Sequence, residues 1–180
     1  MITLEPIDLS HLPFLQQYAE HPQIGATSNV PFPYPEHAAI QRYGYISKKI
    51  ETNASRVFAI KFENAFCGVM SLNNFDLANR TAGLDYWVAV EYQGKGIATQ
   101  AVAAAVNRAK DTLDLEALYS SSLSRNLASA RVLEKNGFKE YAQSVLDAGK
   151  FSGETVRKFK LEIHNMSTNP TRGAGAPLAD

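Results

Sequence analysis

The sequence has one cysteine and one tryptophan in 180 residues, and no excess of either charge: Lys+Arg and Asp+Glu number 18 each. Each shortage excludes something. A lone Cys67 cannot close an internal disulfide, so the core must come from apolar burial, which a chain of this length supplies as one domain. Formal neutrality removes the basic field that draws nucleic acid or an anionic membrane, so neither is an expected partner. No apolar run approaches the ~20 residues of a membrane span. Met1 to Ser10 also lacks the basic-then-apolar grammar of a targeting peptide, so the expected location is cytoplasmic. His11, His21, His37 and His164 stand far apart without metal-ligand spacing, so no metal is expected and all four read as surface residues. Cys67, between Phe66 and Gly68, reads as a small buried hydrophobe rather than a nucleophile.

What is present is an alternation of helical and strand periodicities. Leu12, Leu15, Tyr18 and Ala19 predict a helix that ends before His21-Pro22, followed by a loop. Pro31-Phe-Pro-Tyr-Pro35 is too rich in proline for regular structure and forms a stiff lip, either pinned to the core or walling an acceptor pocket. A second helix is predicted from about Pro35 to Ile50. Val57 to Lys61, Phe66 to Leu72 and Ala82 to Val90 are β-branched and aromatic runs joined by turn residues, and they predict an antiparallel meander. A helix through Ile97 to Ala109, a strand at Ala117 to Leu123, a helix through Leu127 to Leu133 and strands at Tyr141 to Leu146 and Thr155 to Ile163 follow. The expected fold class is mixed α/β with one sheet. The domain is expected over residues 1–164, with a flexible tail at 165–180, which is rich in proline, glycine and small polar residues.

The segment Tyr86-Trp-Val-Ala-Val-Glu-Tyr-Gln-Gly-Lys-Gly-Ile-Ala-Thr99 carries the most information. A β-type run breaks at Gly94 and Gly96 straight into an alanine-rich helix, whose first unpaired amides and positive dipole end suit a pyrophosphate. A P-loop needs four residues between its first glycine and Gly-Lys-Ser/Thr, and a dinucleotide fingerprint needs a third glycine where Thr99 stands, before Gln100. Both are excluded. A turn that merely packs helix on sheet is the bland alternative.

Gln93-Gly-Lys-Gly-Ile-Ala98 resembles the Gln/Arg-x-x-Gly-x-Gly/Ala segment of the GNAT acyltransferases. Asn126-Leu-Ala-Ser129 with Glu134-Lys-Asn-Gly-Phe138 is similar to the second signature of that family, in the right order. The opening Ile7-Asp8, the Pro31 to Pro35 lip and the Tyr86-Trp87 pair resemble the branch of ribosomal-protein-alanine N-acetyltransferases, over about residues 1 to 163. The resemblance implies a mostly antiparallel sheet splayed at a CoA site with helices on both faces, and acetyl-CoA as co-substrate. The acceptor would be a primary amine, either a protein N-terminus or a small molecule, and a homodimer is an expectation of that branch.

Position by position, the resemblance implies that main-chain groups around Val88 and Val90 pair with the pantetheine arm. Amides of Gln93, Gly94, Lys95, Gly96, Ile97 and Ala98, with the Thr99 hydroxyl, would hold the pyrophosphate, and Asn126 would contact the cofactor. Lys95 and Lys135 are either phosphate contacts or solvated charges. A bulge near Val90 would free an amide for the oxyanion. Ser129 matches the position that faces the leaving sulfur in the serine-using branch; its alternative role is that of a plain residue near a helix cap. Leu133 replaces the tyrosine acid of better-known members. For the base the order is Asp85, then Asp147, then Glu91. The alternative to an enzyme is a CoA-binding sensor with little chemistry.

Overall fold

The computed structural model describes residues 1–163. The expected tail at 165–180 and His164 lie outside the described residues. A seven-stranded sheet runs in the order β1-β2-β3-β4-β5-β7-β6. Its strands are β1 (Ile2–Pro6), β2 (Ser55–Phe62), β3 (Ala65–Asp76), β4 (Thr81–Val88), β5 (Ala117–Leu123), β6 (Lys139–Val145) and β7 (Thr155–Glu162). The helices are α1 (Leu12–Ala19), α2 (Pro22–Thr27), α3 (Ala38–Glu51), α4 (Ile97–Asp111) and α5 (Leu127–Lys135).

Every neighbouring pair is antiparallel except β4 with β5, which is parallel and is joined by the α4 crossover. The fold is therefore mixed α/β with a mostly antiparallel sheet, and the expected β2-β3-β4 meander is present. Alternation along the strands sorts two cores. Phe58, Ile60, Leu84 and Val88 face α4 and α5, packing on Ala101, Val102, Ala105 and Leu133. Val57, Ala59 and Phe66 face α1 and α3, packing on Leu15 and Ile46 with Trp87 alongside. Cys67 is fully buried and its thiol donates to the Ile60 carbonyl at 3.3 Å, while burial pushes its pKa up. A packing role explains it.

The structure corrects several boundaries. β1 was not expected; it is an edge strand stabilised by its ladder to β2, a contact made across more than fifty residues of chain. The expected loop after α1 contains α2, where Pro22 takes the first helical position and His21 Nδ1 accepts from the Gln23 amide. α3 begins at Ala38 rather than Pro35, because His37 enters the helix in the left-handed region (φ 61). β4 stops at Val88 and a 3-10 turn spans Val90–Tyr92, so the strand does not run through Val90. His11 is not a surface residue. It is 6% exposed, its Nδ1 accepts from the Asp8 amide at 3.1 Å, and its ring lies against Phe66, because a reciprocal cap with Asp8 folds it inward.

Candidate active site

The site begins where the sheet comes apart. β4 and β5 pair only over Thr81 to Gly83 with Ala117 to Tyr119, and beyond that the parallel strands diverge. Ser120 marks the fork, its hydroxyl donating to the Leu84 carbonyl at 2.8 Å. On the other side β4 stays paired with β3, with Gly68 opposite Val88 and the Ala89 amide donating to the Cys67 carbonyl at 2.7 Å. Antiparallel ladders alternate bonded and non-bonded pairs. Since Ala89 is bonded to Cys67, the main-chain groups of Val88 and Tyr86 turn away from β3 and into the gap. The Val88 carbonyl accepts from Gln93 Nε2 at 2.9 Å, so a ligand pairing there would displace that side chain.

The mouth of the gap is the N-terminus of α4. Gly96 caps the helix at φ 74 and ψ 8 with no side-chain cap, and Gly94 is also left-handed at φ 73. The first intrahelical bond runs from the Gln100 amide to the Gly96 carbonyl, which leaves the amides of Ile97, Ala98 and Thr99 without a helical acceptor. The Gln93 amide is used within the turn, donating to the Val90 carbonyl. A Cβ placed on Gly94 would meet nothing within 4 Å, and one on Gly96 only Gln100 Nε2 at 3.9 Å. The glycines thus serve backbone shape and open approach, not internal packing.

α5 closes the far wall. Asn126 Oδ1 accepts from the Ser129 amide, capping its start. Its end is a left-handed stop at Gly137 (φ 84), with the Gly137 amide donating to Glu134 and the Phe138 amide to Leu133. Asn136 Nδ2 donates to the Thr99 carbonyl at 3.2 Å and so ties this helix end to the α4 N-terminus.

A cleft of about 1040 Å³ runs through the fork and lines both faces of β4. Of the residues expected from sequence, Val88, Gln93, Gly94, Gly96, Ile97, Ala98, Thr99, Asn126, Ser129 and Asp85 line it. Val90 and Lys95 do not. Val90 lies in the 3-10 turn, and the Lys95 ammonium is folded over the Tyr92 ring, 5.4 Å from its centre. Lys135 faces the cleft instead, with Arg131 one turn earlier on α5. Among the carboxylates considered, Asp85 lines the cleft and Glu91 and Asp147 do not. Glu91 is engaged with Tyr18, whose phenol is pushed up chiefly by burial and then by Glu91.

Ser129 and Asp85 reach the cleft from opposite faces of the sheet. Asp85 points toward the α1 and α3 side, opposite Ser71, and its Oδ2 accepts from Asn73 Nδ2 at 2.7 Å. Tyr86, one residue on, points to the α5 side, where its hydroxyl lies 3.0 Å from Ser129 Oγ. Burial pushes the Tyr86 phenol up to about 12, with the Ser129 bond pulling the other way, so it keeps its proton at neutral pH. In the sequence Tyr86 stands only as part of the Tyr86-Trp87 pair, with no role of its own. The alternation of β4 was the signal that would have placed it beside α5. Pro31 and Tyr34 of the proline-rich lip line the cleft, whereas Phe32 is 52% exposed. Among the described residues no group of three His, Cys, Asp or Glu side chains comes together to hold a metal ion, and no helix is long and apolar enough to cross a membrane.

A mixed sheet forked at its one parallel pair, with a glycine-capped helix at the mouth, is the architecture of the acyl-CoA N-acyltransferase fold. The chain belongs to the GNAT acetyltransferase family, whose domain model matches residues 1–139. It is 37% identical over 79 residues to YdaF of Bacillus subtilis (strain 168), a candidate ribosomal N-acetyltransferase, covering 44% of this chain and 43% of that one. It is 31% identical over 84 residues to a ribosomal-protein-serine acetyltransferase of Escherichia coli (strain K12), covering 47% of each. The match thus spans less than half the length of these two relatives. Among solved structures, a spermidine N-acetyltransferase from Vibrio cholerae in complex with CoA and spermine superposes with a TM-score of 0.79 at 20% identity, covering 91% of this chain and 96% of that one. RimL, a ribosomal L7/L12 α-N-protein acetyltransferase in complex with coenzyme A, superposes with a TM-score of 0.80 at 20% identity, covering 89% and 93%.

Proposed function

We propose that this protein moves the acetyl group of acetyl-CoA to a primary amine by direct attack, the acceptor being a protein N-terminus or a small-molecule amine. The observation that carries the reading is the fork itself. One continuous cleft joins unpaired amides at its mouth, main-chain groups of Val88 along its edge, and Ser129 and Asp85 on opposite faces of β4. The residues present fit the coenzyme: glycines leave the α4 amides open to a pyrophosphate, the parted strand edge suits the pantetheine arm, and Arg131 and Lys135 add positive charge on that side. The solved relatives that hold CoA have this fold, which supports placing the coenzyme here.

Bound acetyl-CoA supplies a thioester carbonyl to an attacking amine, and its thiolate departs from a tetrahedral intermediate. Asp85 faces the acceptor side and accepts the proton that the amine sheds, directly or through water. Ser129 faces the opposite side and donates a hydrogen bond to the departing sulfur. The Tyr86 hydroxyl, protonated at neutral pH, lies 3.0 Å from Ser129 Oγ and holds that side chain in place at the cleft wall. Thiol release measured over a panel of amines and N-terminal peptides tests the reading. Release with at least one acceptor supports transfer; tight CoA binding by calorimetry without release from any acceptor would make the protein a CoA sensor instead.

A further inference from the structure

The cleft is lopsided in charge. Asp85 is the only carboxylate residue among its lining side chains, against the cations Arg42, Lys49, Arg131 and Lys135. The whole chain has 18 charges of each sign, so the imbalance belongs to the cleft and not to composition. Arg131 and Lys135 stand on α5, beside the coenzyme end. Arg42 and Lys49 stand on α3, on the sheet face that Asp85 shares. Seven residues are two helical turns, so both lie on one side of α3, about 10 Å apart along its axis. Among the described residues neither forms a salt bridge. The Lys49 ammonium lies over the Tyr45 ring, 4.7 Å from its centre, and both side chains line the cleft. Burial raises the pKa of the cleft-lining Tyr34, Arg42 lowers it and Glu20 raises it, so a guanidinium and a carboxylate both lie near that ring.

These positions discriminate between amines. A polyamine carries an ammonium at each nitrogen, and in this cleft it would meet two α3 cations, offset by Asp85 in the lining and by Glu20 near Tyr34. An amine with trailing negative charge meets the opposite: Asp85 for the reacting nitrogen, and on the same sheet face the cations Arg42 and Lys49 for the acidic groups. About 10 Å is the reach of roughly three extended residues, more than a single free amino acid spans.

We propose that the acceptor is a polypeptide N-terminus with acidic residues within its first few positions, read by Arg42 and Lys49 of α3. The inference rests on the acetyl-transfer reading of the same cleft. Its test compares kcat/KM for C-terminally amidated Ala-Asp-Glu-Ala, its amide isostere Ala-Asn-Gln-Ala, free aspartate and spermidine, using full-length protein and thiol release. The acidic peptide should exceed its isostere about five- to tenfold at low salt, as expected for two partly exposed charge pairs. The advantage should shrink as ionic strength rises and disappear in Arg42→Gln/Lys49→Gln, while calorimetric affinity for acetyl-CoA stays unchanged. Equal rates for the two peptides, an advantage that survives the double substitution, or spermidine or free aspartate matching the acidic peptide would overturn the inference and leave acetyl transfer standing. No release from any of the four, with acetyl-CoA bound, would overturn both.

Discussion

Replacing Gly96 by alanine isolates the contribution of the α4 N-terminus. Gly96 holds φ 74 and ψ 8 as the cap of α4, a conformation that costs an L-residue about 1–2 kcal/mol. A domain of this size loses roughly 2–4 °C of Tm per kcal/mol, so the variant should melt about 2–8 °C lower and remain folded. The new Cβ clashes with nothing in the protein, since only Gln100 Nε2 lies within 4 Å, at 3.9 Å. Gly96 lines the cleft beside Ile97 and Ala98, so the added methyl occupies space at the helix mouth that the coenzyme would otherwise approach. Each charge-assisted bond to a phosphate is worth about 1.5–3 kcal/mol, so loss of one should weaken CoA binding about 10- to 100-fold. Gly149→Ala is the matched control. It imposes the same kind of strain at φ 80, with nothing within 4 Å of its Cβ, outside the residues that line the cleft. Calorimetric titration of CoA into both variants, beside their melting curves, gives the answer. A Gly96→Ala protein that binds CoA as tightly as the parent, or a Gly149→Ala protein that loses the same affinity, would refute the placement of the pyrophosphate.

Three other outcomes are expected. Tyr86→Phe keeps the ring but removes the bond to Ser129 Oγ, so kcat should fall about three- to tenfold with KM for acetyl-CoA little changed; Ser129→Ala should cost more, and the double variant no more than Ser129→Ala alone, whereas additive losses would separate the two residues. Asp85→Asn should lower turnover at neutral pH with little effect on acetyl-CoA affinity, and undiminished turnover would remove Asp85 from the reaction. Glu140 is held below its ordinary pKa by Gln143 and then by Arg157. The stability this contributes is present above the ordinary carboxylate range and is lost as pH falls through the lowered value. Arg157→Gln should therefore flatten the acid limb of stability seen in melts from pH 7 to 3, and an unchanged limb would mean the pair contributes nothing measurable.

Features whose causes are local were legible in the sequence. Gly94 and Gly96 stand at a strand-to-helix break, Asn126 caps α5 three residues before Ser129, and Asn136-Gly137-Phe138 ends that helix with a left-handed stop; each depends on neighbours a few residues away. The meander was legible for the same reason, its three runs being close in sequence and rich in β-branched and aromatic side chains. Features whose partners lie far along the chain were not. β1 is short and mixed, and it exists because β2 pairs with it. His11 reads as an ordinary polar residue until Asp8 folds it against Phe66.

Local sequence sets the order of helices and strands and the backbone shapes of the turn and the caps, because propensity, glycine freedom and capping act within one or two helical turns. Tertiary structure decided the chemistry. It ended β4 before Val90, turned the Val88 main chain toward the gap, set Tyr86 against Ser129 across 43 residues of sequence, and put Arg42 and Lys49 on the side of the sheet that Asp85 faces. Those placements depend on strand pairing and on which face of a strand or helix meets its neighbour, and such relations arise only when distant segments pack together.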